Sequence, residues 1–162
     1  MQQPVVVVLD TWPQPHSVSD VLAFGTGSEL AVRYVVSGGH EVALVHFPLM
    51  STFRLGSPND EALGGHPLAK FGLKYYSVHR VENSPWIADM ERQNSVHPRH
   101  DKTRFLASKT HYIFTFQDSM LECVASEGGD WTPRVRTFDN AQAAQDEWRR
   151  LIGQLTGDKE DF

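Results

Sequence analysis

The chain carries a single cysteine, Cys123, among 162 residues. Neither an intramolecular disulfide nor a paired-cysteine zinc site can be built from it. Nothing in that scarcity suggests an oxidising compartment, and a cytoplasmic location is the default expectation. Long apolar runs are also lacking. None approaches the roughly 20 residues that span a bilayer, so no membrane partner is expected. Met1-Gln2-Gln3-Pro4, followed by Val5 to Leu9, has neither the basic start nor the small-residue cleavage site of a secretion signal.

Positive charge is in deficit: 15 Lys and Arg stand against 20 Asp and Glu, a net charge of −5. The densest basic group, Arg134, Arg136, Arg149 and Arg150, is interrupted by acids and apolar positions. Such a chain has no electrostatic reason to approach phosphate backbones, and no nucleic-acid partner is expected. A glycine-rich loop ending in Gly-Lys-Ser/Thr is missing too. Gly25-Thr26-Gly27 is only a fragment of a dinucleotide fingerprint, with strand-like sequence where the helix should follow. No cofactor and no metal are expected.

What is present is ordinary globular material, 40% hydrophobic and 22% charged. The length suits one domain, expected over residues 1–157, with residues 158–162 as a solvated tail.

Val5 to Leu9 is a β-branched run that suits a buried strand. Val21 to Phe24 is a weaker one. Glu29–Val36 and Glu41–Phe53 flank Ser37-Gly38-Gly39-His40 and read as a hairpin, with Pro48 dividing or bulging the second arm. Ser57-Pro58-Asn59-Asp60 can start a single helical turn that Gly64-Gly65 ends. Phe71–Val81 is aromatic and β-branched and reads as a strand.

Asn83-Ser84-Pro85-Trp86 is a stronger helix start. A helix from about Pro85 to Asn94 buries Trp86, Ile87 and Met90. Asp101 can cap a second short helix to about Ser108. Thr110–Phe116 and Met120–Ala125 form a further hairpin. Asp139 or Asn140 opens a closing helix, with Trp148, Leu151, Ile152 and Leu155 on one face and Gly157 at its end. The predicted fold is therefore α+β. It has a mostly antiparallel, strongly curved or barrel-like β core, one internal helix and a C-terminal amphipathic helix packed on it.

Histidine carries the functional signal, with 8 in the chain. His97-Pro98-Arg99-His100-Asp101 gathers two imidazoles, a guanidinium and a carboxylate. It could serve acid/base chemistry or ligand binding near neutral pH; a divalent metal held by the imidazoles, and a plain polar loop with Asp101 as a helix cap, compete with that reading. His66 closes the Gly56–Pro67 loop beside Asn59, and could converge with His97 and His100 if both loops share one end of the sheet. His46, His79 and His111 lie in strands, where a bond to a neighbouring carbonyl is the ordinary role.

Glu122 interrupts an apolar strand. Facing inward it would be a desolvated acid or base; facing outward, the direction that strand alternation favours, it is simple patterning. Tyr76, Arg80 and Trp86 are candidate ligand contacts, although Arg80 also suits a surface salt bridge with Glu82. Cys123 reads as a small buried hydrophobe.

The expectation is a small-molecule-binding domain, extending to a cofactor-independent enzyme of hydrolase, lyase or isomerase type. Catalytic candidates are His66, His97, His100, Asp101 and Glu122; ligand-binding candidates are Asn59, Tyr76, Arg80 and Trp86. The alternative is a non-catalytic protein-interaction domain with structural histidines. Composition leaves a homodimer open.

Overall fold

The computed structural model describes residues 2–157; the expected tail, 158–162, lies outside the described residues. Two antiparallel sheets are stacked face to face with helices outside them, an α+β architecture. Among the described residues the strands are β1 (Val5–Val8), β2 (Val21–Gly25), β3 (Leu30–Val35), β4 (Val42–Phe47) and β5 (Met50–Gly56). They continue with β6 (Val78–Glu82), β7 (Lys109–Thr115), β8 (Met120–Ser126) and β9 (Arg134–Phe138). The helices are α1 (Pro85–Asn94), α2 (Lys102–Ser108) and α3 (Ala141–Thr156). The first sheet runs β1-β6-β7-β8-β5 and the second β2-β3-β4-β9. Among the described residues the strands do not close into a barrel, because each sheet keeps two free edges.

Strand alternation assigns the core. In the second sheet Leu30, Val32, Tyr34, Ala43, Val45 and Phe47 face inward. They meet Tyr112, Phe114, Leu121, Cys123 and Ala125 of the first. Phe114 contacts Tyr34 and Phe47 edge-on, at centroid separations of 5.8 and 6.2 Å. This dry layer leaves each sheet an outer face to cover. On the second sheet α3 does so, burying Ala144 and Leu151. Its ends are set by side chains and backbone: Asn140 Oδ1 accepts the Ala143 N–H at 2.9 Å, and Gly157 takes the left-handed C-cap at φ +69°.

On the first sheet the cover comes from α1 and the irregular segment 60–77. Leu63 and Leu68 pack on Val6, Val81, Ile113 and Met120. Helices thus lie on both outer faces of the sandwich. The segment departs from the expected Phe71–Val81 strand. Ala69–Phe71 forms a 3-10 turn, and the strand begins only at Val78. Gly72 explains part of this: its φ is +119°, and a Cβ there would lie 2.5 Å from the Val6 carbonyl oxygen. Tyr76 also holds a positive φ. The helical turn before it spans Asp60–Gly65 and is capped by Asn59, not Ser57. Pro48 divides the expected Glu41–Phe53 strand into β4 and β5. No helix among the described residues is long and apolar enough to cross a membrane.

Candidate functional site

Because both faces of β8 are covered, all seven of its residues are buried. Glu122, for which alternation favoured solvent, therefore points into the layer between the first sheet and α1, at 2% exposure. Register supplies its neighbours. Ile113 and Arg54 lie directly across from it on β7 and β5. His111 is two residues before Ile113 and so projects from the same face.

The carboxylate is the hub of a buried polar cluster. Its Oε2 accepts from Arg54 Nε at 2.9 Å and from His66 Nε2 at 3.3 Å. Its Oε1 accepts from His111 Nε2 at 2.9 Å. Burial alone would raise the pKa of such a carboxyl. The bonds from His111 and His66, with the charge of Arg54, more than offset it and hold Glu122 below the usual carboxylate range. It is a fixed anion.

The imidazoles are oriented by their second nitrogens. His66 Nδ1 accepts the Leu68 N–H at 3.0 Å, which leaves the ring proton on the nitrogen facing Glu122. His111 Nδ1 lies 2.7 Å from Ser84 Oγ, and that oxygen caps α1 by accepting the Ile87 N–H at 3.2 Å. With the ring proton on Nε2 toward Glu122, Nδ1 accepts the Ser84 hydroxyl. The rings of Trp86, two residues into α1, and His111 meet nearly perpendicular, with centroids 5.2 Å apart. The Arg54 guanidinium lies 4.3 Å over the Trp86 ring.

A cleft of about 200 Å³ is lined by Arg54, His66, Trp86, His111 and Glu122, together with Pro67, Pro85 and Asp89, whose carboxylate pairs with Arg92. It suits a molecule of a few heavy atoms. Arg54 spends Nε and one terminal nitrogen on Glu122. A guanidinium has five N–H groups, so donors remain for a ligand oxygen.

The other candidates lie elsewhere. His97 Nδ1 accepts the Arg99 N–H at 3.1 Å within an exposed turn. Asp101 caps α2 through the Arg104 N–H at 3.0 Å. His100 pairs with Glu91 at 3.1 Å and with Asn94 at 2.9 Å, tying the end of α1 to the turn before α2. His100 and Asp101 line a different depression from His66. Asn59 caps its 3-10 turn, Tyr76 donates to Asp60 at 2.5 Å, and Arg80 pairs with Glu82 at the surface. The structure thus brings together His66, Glu122 and Trp86 from those candidates.

It adds Arg54, His111 and Ser84, which sequence reasoning did not place in a site. The signal for His111 was its strand face, and for Ser84 its cap. Arg54 had no local signal. His79 keeps the ordinary strand role, with Nδ1 on the Ile113 carbonyl at 3.1 Å and Nε2 accepting the Lys74 N–H at 3.0 Å. Cys123 is fully buried on the opposite face of β8, and burial pushes its thiol up. Among the described residues no group of His, Cys, Asp and Glu is arranged to hold a metal ion. No protein-family model matches the chain, and no curated protein or solved structure matches it either.

Proposed function

We propose that this domain binds a small molecule in the cleft beneath Trp86 and that the Glu122 cluster performs acid–base chemistry on it without an organic cofactor. The observation that carries the reading is a buried, ionised carboxylate at the floor of an open cleft, flanked by two imidazoles and a guanidinium with unspent donors. Arg54 favours a ligand with a carbonyl or carboxylate oxygen, and Trp86 with Pro85 favours a flat or apolar remainder. The small net negative charge and the single buried cysteine suit a cytoplasmic setting.

The test is thermal shift and tryptophan fluorescence with small carboxylic acids, amides and esters at millimolar concentration. A rise in Tm with quenching, both lost in Trp86→Ala, is expected. A flat response across the set argues against the cleft as a binding site.

A non-catalytic interaction domain is the second reading, and one observation favours it. His66, His79, His100 and His111 each spend both ring nitrogens on partners within the fold. On that reading no small ligand perturbs them, and the same panel separates the two.

A further inference from the structure

Ser84 has a second outlet. It is only 7% exposed, yet its wall of the fold belongs to a different cleft, about 400 Å³, running between α1 and the end of α2. Val81, Ile87, Ala88 and Leu106 give this cleft an apolar wall, and Gln2, Glu82, Asn83 and Lys109 line its polar side. Ser84 lines this second cleft, whereas His111 and Glu122 line the first.

Three groups stand in line. Ser84 Oγ is 2.7 Å from His111 Nδ1, and His111 Nε2 is 2.9 Å from Glu122 Oε1. A hydroxyl, an imidazole and a fixed carboxylate in that order are the parts of an activated serine nucleophile. The imidazole is held in orientation by Glu122 and by its perpendicular contact with the Trp86 ring. The local backbone delivers the serine from a strand to a helix start: β6 ends at Glu82, Asn83 takes a positive φ of +54°, and Ser84 caps α1. Asparagine is one of the residues that enter the left-handed region readily, and here it turns the chain from β6 into α1. The N-terminal end of α1 also presents positive partial charge beside Ser84.

We propose that Ser84 is a nucleophile for acyl transfer from small, largely apolar esters entering this second cleft. Ser84 Oγ bonds to the acyl carbon while its proton passes to His111 Nδ1. The ester C–O bond then breaks, and the departing alkoxide takes that proton and leaves as the alcohol. Water, deprotonated by His111, adds to the acyl carbon. The bond to Oγ breaks, the proton returns to Ser84, and the carboxylic acid departs. Glu122 is the positioning residue: it holds the ring and stabilises the imidazolium formed between the two transfers. The inference rests on the reading of His111 and Glu122 as an acid–base pair, but it does not require a ligand beneath Trp86.

The experiment is covalent trapping of the full chain with an alkyl fluorophosphonate, in which the Oγ–P bond forms as the P–F bond breaks. Intact mass and peptide mapping locate the adduct. One adduct on Ser84 is expected, with turnover of p-nitrophenyl acetate blocked in the labelled protein. Ser84→Asn keeps a helix-capping side chain and should melt close to the wild type while losing adduct and turnover. His111→Gln should slow labelling by about 100-fold or more, the scale of a lost general base. A folded wild-type chain that gives no adduct, or an adduct elsewhere than Ser84, overturns the proposal. So does Ser84 labelling at the same rate in folded His111→Gln. Trapping reads Ser84 alone, so its failure leaves ligand binding beneath Trp86 to be judged by the thermal-shift panel.

Discussion

Glu122→Gln removes the charge from the hub while nearly preserving its shape. The wild-type carboxylate accepts from Arg54, His66 and His111 at 2.9, 3.3 and 2.9 Å. A carboxamide keeps one acceptor oxygen and puts an NH₂ group where the other was. If the oxygen stays with His111, the NH₂ meets the N–H groups of His66 and Arg54, donor against donor. The Arg54 side chain is 60% exposed, so water replaces its lost bonds. The His66 side chain is 8% exposed, and its N–H is stranded.

One stranded buried donor costs about 1–3 kcal/mol. Weakening a charge-assisted bond to His111 into a neutral one adds about 1 kcal/mol. A total of about 2–4 kcal/mol corresponds to a Tm lower by roughly 5–15 °C in a domain of this size. Thermal and urea unfolding at pH 7, followed by circular dichroism, read both quantities. A variant within a degree of the wild type would refute the account of Glu122 as an ionised hub, because a solvated or protonated carboxyl would lose little.

His79 sets a second expectation. Burial lowers its pKa to about 4, from about 6.5 in an unfolded chain. A depressed pKa means that its stabilising effect is complete above pH 6.5 and is lost as pH falls toward 4, by about 3 kcal/mol in total. His79→Gln should flatten stability across that window relative to the wild type; parallel curves would contradict it. Leu151→Ala in α3 should cost about 2–4 kcal/mol, since Leu151 is buried against the second sheet. An unchanged denaturation midpoint would argue that α3 is not docked there.

How much of this was readable beforehand depends on the range of each interaction. The β3–β4 and β7–β8 hairpins, the Ser84 cap of α1 and the Asn140 and Gly157 ends of α3 rest on adjacent residues, and each was legible. Residues 71–77 carry strand-like side chains, but backbone conformation at Gly72 and Tyr76 overrides them. β9 went unread because Arg134 and Arg136 mask a short edge strand that only its pairing with β4 defines.

The site follows the same rule. His66 and Glu122 stood out as residue types, but the direction of Glu122 depended on whether one face of β8 or both are covered. That is decided by segment 60–77 and α1, which are distant in sequence. Arg54 joins Glu122 only through the β5–β8 register, 68 positions apart. Ser84 and His111 each had an adequate local role, so nothing nearby announced that they meet.

The arrangement of protons around Glu122 is the claim on which the functional account turns. Long-range ¹H–¹⁵N NMR spectra of histidine-labelled protein report it directly, alongside the ¹³C shift of the Glu122 carboxyl during acid titration. The account predicts that His66 and His111 carry their proton on Nε2, and that the Glu122 signal does not move as pH falls through about 4.3, where an ordinary glutamate titrates. A proton on His111 Nδ1, or a Glu122 carboxyl titrating near 4.3, would contradict it.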